Sequence, residues 1–220
     1  MDAGEGLALL AVDVIEGGVR VTLSDGEILE LAAESLPPAL PAPGEVLPPA
    51  TLGLLRDAAA RKRIARRLFA LLARRLQPRR ALRRKLLEEG FPADALDSVL
   101  DRFADEGVHS DRLYAEAWCR DTVRLRPVGR RYLEGKLRER GVGSDLAAAV
   151  ARETLSDGDE QRLCRAAARK WWRRQPGAAD RRALARGERY LMGRGFPISV
   201  AGDVIRETVP DTVPDAEEAT

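Results

Sequence analysis

Few side chains in this sequence could do covalent chemistry. There is one histidine, His109, and there are two cysteines, Cys119 and Cys164. A structural zinc site needs about four Cys or His ligands, so no metal site is expected. No G-x-x-x-x-G-K-[ST] phosphate loop occurs. Gly193-Arg194-Gly195 lacks the strand context and the remaining glycine of a dinucleotide fingerprint. Gly141-Val142-Gly143-Ser144 reads as a helix stop followed by a helix cap. The carboxylate pairs Glu88-Glu89 and Asp105-Glu106 fall near predicted helix ends, where they are solvated. His109 falls at a predicted helix–helix turn and is expected to be exposed and inert. Both cysteines sit beside apolar positions and read as small buried hydrophobes rather than reactive thiols. The sequence assigns no catalytic residue and no cofactor, and an enzyme is the reading it supports least.

Charge is the stronger signal. Residues 61–85 hold twelve bases and no acid. Spacings of three and four place Arg63, Arg67 and Arg74 on one predicted helix face, away from Ile64, Leu68 and Leu71. Arg79, Arg80, Arg83 and Arg84 extend the charge along the next helix. A second cluster is Arg162, Arg165, Arg169, Lys170, Arg173 and Arg174, with Trp171-Trp172 inside it. Trp171 is in phase with Leu163 and Ala167 and reads as core. Trp172 is one step off that face, and two readings stay open for it: core packing, or stacking on a base or partner. Like-charged runs cost helix stability unless a phosphate backbone or an acidic groove neutralises them.

The elements that carry these residues form a repeat. A Leu is followed four residues on by a Gly, then an aromatic or Val, then apolar residues five, nine and ten positions past the Gly. The copies are Leu86, Gly90, Phe91, Ala95, Val99, Leu100; Leu137, Gly141, Val142, Leu146, Val150, Ala151; and Leu191, Gly195, Phe196, Val200, Val204, Ile205. The glycines lie 51 and 54 residues apart, a period that marks stacked supersecondary units. Each unit is expected to hold three helices of about 12–16 residues. The first runs to about Leu76; then Pro78 to Gly90, and Pro92 to about Gly107. The second unit follows the caps Ser110 and Asp111, with helices to Leu125, over 127–140 and over 144–155. The third begins at Asp157 with Glu160 placed for a capping box. A Pro176-Gly177 break follows, then helices from Ala178 to Arg194 and Pro197 to Thr208.

Residues 7–31 read as a small antiparallel meander with turns at Gly17-Gly18 and Ser24-Asp25-Gly26. Residues 36–49 hold six prolines and read as an extended linker. The fold class expected is mainly α: three tandem three-helix repeats, with an N-terminal antiparallel β segment. The boundaries read are 1–35 for the β segment, 36–50 for the linker, 51–108, 109–155 and 156–208 for the repeats, and 209–220 for an acidic, disordered tail.

Over all 220 residues the net charge is +2, but its distribution is uneven. Residues 1–57 carry ten acids against Arg20 and Arg56, residues 203–220 carry six acids against Arg206, and the stretch between is net +15. A basic body between acidic ends suits a polyanionic partner. Two cysteines are too few for a disulfide framework, no window has the roughly 20 apolar residues of a membrane span, and residues 1–5 lack the positive end of a leader. A cytoplasmic monomer that does not enter membranes is expected.

The stretch Ala81-Leu82-Arg83-Arg84-Lys85-Leu86-Leu87-Glu88-Glu89-Gly90-Phe91, then Val99-Leu100, Phe103, Gly107, Asp111, Tyr114-Ala115 and Trp118, resembles the RecX family of RecA regulators. Lys136-Leu137 with Gly141-Val142, and Leu191 with Gly195-Phe196, look like the family's later repeats. The resemblance covers roughly residues 60–208. Pro78 and Ala81 stand where the family usually has a Ser cap and an acid, Val108 replaces an aromatic, and Gly187 falls where the third repeat should carry a Leu. The resemblance implies three tandem three-helix units in an elongated, curved body that binds in the helical groove of the RecA–DNA filament. There the family limits filament growth, ATP turnover, strand exchange and co-protease activity. The contact residues expected are Arg63, Arg67, Arg74, Arg79, Arg80, Arg83 and Arg84 in the first repeat. Arg130, Arg131, Lys136 and Arg138 are expected in the second, and Arg169, Trp172 and Arg173 in the third. The partners implied are the RecA filament and single-stranded or duplex DNA along the basic faces. Two other readings stay open: a free-standing helical DNA- or RNA-binding protein, and a helical-repeat scaffold for an acidic protein.

Overall fold

A computed structural model of the chain describes residues 6–175 and 180–210. The expected Pro176-Gly177 break, the expected helix start at Ala178, residues 1–5 and the tail from Asp211 lie outside the described residues. The described residues form two compact units: 6–77 with 81–109, and 78–80 with 110–175 and 180–210.

In the first unit, β1 (Leu9–Ile15), β2 (Gly18–Leu23) and β3 (Ile28–Leu31) form an antiparallel sheet in the order β1-β2-β3. Alternation along β2 and β3 decides which face is dry. Val19, Val21, Leu23, Leu29 and Leu31 are buried, while Arg20, Thr22 and Glu30 lie on the other face. Arg20 and Glu30 oppose each other there and pair at 2.9 Å.

The Pro-rich stretch, expected to be an extended linker, packs along the sheet. Residues 44–47 run along the start of β1: the Gly44 amide donates to Leu9 O at 2.7 Å, Leu9 N to Glu45 O at 3.0 Å, and Leu47 N to Leu7 O at 2.8 Å. Leu47 is 2% exposed. Leu47, with Leu36 and Leu40 packed on the same core, and three main-chain hydrogen bonds hold a stretch whose prolines exclude it from helix.

Helix α1 (Pro49–Leu72) has 24 residues, longer than the helices expected, because it serves two cores. Leu55, Ala58 and Ala59 close the sheet's apolar face. Ile64, Leu68 and Leu71 pack instead with Leu82 and Leu86 of α2 (Arg79–Glu88) and with Leu96, Val99, Leu100 and Phe103 of α3 (Ala93–Asp105). Each such buried aliphatic side chain contributes about 1.5–3 kcal/mol. Lys62 ties the helix to the sheet, its ammonium donating to Gly17 O at 2.9 Å and Leu31 O at 3.4 Å. The helix stops four residues short of the expected Leu76. Leu76 would extend the apolar stripe, but it is 42% exposed, and the Arg74 and Arg75 amides both turn back onto Leu71 O.

The second unit holds α4 (Asp111–Leu125), α5 (Arg130–Glu139) and α6 (Ser144–Thr154), then α7 (Asp157–Trp172), α8 (Arg181–Gly193) and α9 (Ile198–Glu207). With α1 to α3 this gives nine α-helices among the described residues, so the chain is mainly helical with a small β segment, as its periodicity predicts. Ser110 caps α4, accepting from Leu113 N, and Ser156 caps α7, accepting from Asp159 N. The capping box expected at Glu160 does not form. That carboxylate is 5% exposed, turned inward, and accepts from the Arg130 amide at the start of α5 at 2.8 Å. The Arg130 guanidinium meets the same carboxylate at 3.4 Å, donates to Leu155 O at 2.8 Å, and pairs with Asp157. A carboxylate of α4 does the same for α2: the Arg79 amide donates to Asp111 at 2.7 Å.

Backbone meets backbone where the end of α8 reaches the start of α5. Gly129 N donates to Arg194 O at 2.9 Å. A Cβ on Gly129 would stand 2.3 Å from Gly195 O, and one on Gly195, whose φ is +84°, would stand 2.1 Å from Tyr132 N. Only glycine fits either place. Gly187 has a different explanation. It stands where α2 and α5 carry the buried Leu82 and Leu133. A Cβ at Gly187 would lie 2.6 Å from Ile205 and 3.0 Å from the Trp171 ring. The Ile205 side chain, with the edge of the Trp171 ring beside it, occupies the volume that leucine fills in the other repeats.

Two stability predictions follow from this packing. Gly187→Leu should cost about 1–3 kcal/mol by overpacking in thermal or denaturant melts, and adding Trp171→Leu should recover part of that loss; strictly additive losses would refute the volume exchange. Arg130→Ala, which leaves Glu160 buried without its cation, should cost about 3 kcal/mol in the same melts, and a loss under about 1 kcal/mol would mean that the pair behaves as a surface ion pair.

Candidate partner interface

Folding divides the arginines singled out by sequence into two groups. Some are held by carboxylates of their own unit. Arg67 makes a two-point pair with Glu89 at 2.8 and 2.7 Å, and Arg83 makes one with Asp97 at 2.8 and 2.9 Å. The hydrogen bond from Arg67 holds the Glu89 carboxyl below the usual range, and the reciprocal bonds raise Arg67 and Arg83. Such bidentate pairs fix the guanidinium plane. Lys136 lies 2.7 Å from Glu139, Arg84 is 3.8 Å from Glu88, and Arg138 is 3.9 Å from Glu134. Arg130 is the most committed, being the partner of Glu160 and Asp157 described above. A partner could engage it only by breaking that junction.

Trp172 changes role most. It is 6% exposed, its ring packs edge-on against Trp171 at 4.7 Å, and its indole N–H donates to Ile205 O at 3.3 Å. The stacking role considered for it is set aside. Helix α7 packs against both α8 and α9, so its dry stripe is wider than one line of residues at spacings of three and four. His109, expected to be exposed, is 3% exposed and lies under the turn that follows α3.

The other candidates stand clear of the core. Arg63 is exposed on α1 with its guanidinium 5.6 Å from the centre of the Phe91 ring. Arg74 is exposed but lies past the end of α1, not on the helix face predicted for it. Arg79 and Arg80 open α2, and the Arg80 stem lies over Gly141. Arg131 on α5, Arg169 on α7 and Arg173 just past its end are exposed. Arg74, Arg131, Arg169 and Arg173 have no ion pair with any described carboxylate.

A further basic face was not found from sequence. Arg181, Arg182, Arg186 and Arg189 are exposed on α8, opposite the buried Ala183, Gly187 and Leu191. Spacings of four and three from Arg182 to Arg186 to Arg189 carry that signal. In the second unit it adds to Arg169, Lys170, Arg173 and Arg174 on and beyond α7, so two successive helices present cations to solvent.

The two thiols are buried. Burial pushes the Cys119 thiol up to about 11 and the Cys164 thiol up to about 12. Both cysteines are free and fully buried, as their apolar neighbours predicted. No described group of three His, Cys, Asp or Glu is arranged to hold a metal ion. No helix of the described residues is long and apolar enough to cross a membrane.

Known proteins share this arrangement. Residues 110–150 match the second three-helix domain of RecX and residues 159–205 match the third. The chain is 31% identical over 169 residues to regulatory protein RecX of Corynebacterium efficiens, covering 74% of this chain and 80% of that one. It is 35% identical over 154 residues to regulatory protein RecX of Chromobacterium violaceum, covering 69% of this chain and 92% of the relative. A crystal structure of regulatory protein RecX superposes with a TM-score of 0.72 at 20% identity, covering 91% of this chain and 99% of that one. The structure of RecX from Lactobacillus salivarius gives 0.63 at 18% identity, over 69% of this chain and 97% of that one. At those identities the likeness to solved structures speaks for the fold. The sequence identity along most of a relative's length, with two three-helix domains in their order, places the chain in the RecX family of regulatory proteins.

Proposed function

We propose that this chain regulates the recombinase RecA by binding the RecA–DNA filament in its helical groove, and that it limits recombinase, ATPase and co-protease activity without catalysing a reaction. One observation carries the reading: on the repeat helices and just past their ends, arginines turn outward that no described carboxylate neutralises. Arg74, Arg131, Arg169 and Arg173 are such residues, and α8 adds Arg182, Arg186 and Arg189. Like charges three and four residues apart cost a helix a few tenths of a kcal/mol per pair, and an anionic partner turns that cost into attraction. Guanidinium forks match phosphate and carboxylate oxygens two at a time, so both DNA and an acidic protein groove suit them. Arg130 and Trp172 leave the contact set. Arg67 and Arg83 enter it only through the outer edges of paired guanidiniums.

The test is the ATPase rate of RecA on single-stranded DNA with this protein added below one copy per RecA. Inhibition at that ratio is expected. Arg169→Glu/Arg173→Glu, which alters two exposed side chains, should need about tenfold more protein for the same inhibition while melting as the parent does. No inhibition by the parent, with tight salt-dependent binding to DNA alone, would replace this reading with that of a free-standing nucleic-acid binder. Full inhibition by the folded double variant would remove this basic face from the interface.

A further inference from the structure

A pocket of about 410 Å³ opens in the second unit, and its polar lining is Arg126, Tyr132, Arg189, Tyr190 and Arg194. Arg126 follows the end of α4, Tyr132 stands in the first turn of α5, and Arg189, Tyr190 and Arg194 stand on α8 or directly after it. None of the arginines singled out from the sequence lies in it, and no carboxylate belongs to its described lining.

The donors in this pocket are in excess. The Arg126 guanidinium lies 5.3 Å from the centre of the Tyr132 ring, and that of Arg194 lies 4.7 Å from the centre of the Tyr190 ring. A guanidinium stacked on a ring keeps its in-plane N–H groups free for an acceptor. Arg194 spends one of them on Pro127 O at 3.3 Å, while its Nε is buried without a partner. The Arg126 and Arg189 side chains make no hydrogen bond or ion pair with any described residue. A buried unmet donor carries a desolvation cost, and gathered like charges add repulsion. One multidentate anion relieves both. The half-buried tyrosine rings add flat apolar wall beside these donors. An anion that brings a planar group uses both features, and the volume lies in the range of small-ligand pockets.

We propose that this pocket binds one nucleotide unit, with its phosphate on Arg126, Arg189 and Arg194 and its base against Tyr132 or Tyr190. A free nucleotide and one residue of a single strand offer the same chemistry, and the test separates the two sources. The proposal stands apart from the regulatory reading, because it is tested on the full chain alone, without recombinase.

ATP and the oligonucleotide (dT)15 are titrated separately into the protein, and the complexes are photocrosslinked with 8-azido-ATP or with (dT)15 carrying 5-iodouracil. Binding by at least one probe is expected, with crosslinks mapped to Tyr132 or Tyr190. Binding by ATP alone identifies a free nucleotide as the ligand; binding by (dT)15 identifies a strand. Arg126→Gln/Arg189→Gln alters two exposed side chains and should weaken the bound probe about tenfold or more with unchanged melting. The proposal fails if neither probe binds, if the folded double variant binds as the parent does, or if the crosslinks map outside the pocket. Any of these leaves inhibition of RecA to be decided by its own assay.

Discussion

The inward carboxylate of Glu160 is the contact on which the second unit depends. It sits in the first turn of α7 and accepts the first amide of α5, which would otherwise be an unpaired donor at a helix start. Once that carboxylate is buried, Arg130 must stay beside it, because an uncompensated buried charge costs several kcal/mol. The same junction brings the end of α8 against the start of α5, close enough that Gly129 and Gly195 admit no side chain. Asp111 repeats the capping at Arg79. The period seen in the glycines is therefore a period of junctions as well as of cores.

These commitments decide which cations are left for a partner. An Arg-rich helix has the same appearance in sequence whether its charges are spent internally or kept free. In the folded chain Arg67, Arg83 and Arg130 are bound to Glu89, Asp97 and Glu160, while Arg74, Arg131, Arg169 and Arg173 remain exposed. The acids that claim the first group come from 14 to 30 residues away, beyond the reach of any rule about neighbours on one helix.

The cores show a similar trade. The third three-helix cluster replaces a leucine by Gly187 and fills the space with Ile205 and the edge of Trp171. Trp172 is then drawn inside by the end of α9, where Ile205 O gives its N–H an acceptor. An apparent fault in the repeat is thus a redistribution of volume, in keeping with interiors packed to a fixed density.

By itself the sequence determined the helical class, the number and order of the repeats, the meander with its turns, and the burial of the cysteines. All of these follow from local periodicity, turn residues and composition, which act within a few residues along the chain. It also determined that a basic body lies between acidic ends. Only the tertiary structure decided that α1 is one helix shared by two cores and that the Pro-rich stretch is tied to β1. It also decided that Trp172 and His109 are buried, that Arg130 is spent, and that Arg126, Arg189 and Arg194 meet in one pocket. Those outcomes depend on which distant residue fills a volume or claims a hydrogen bond. That pairing is set by three-dimensional packing and leaves no mark in local spacing.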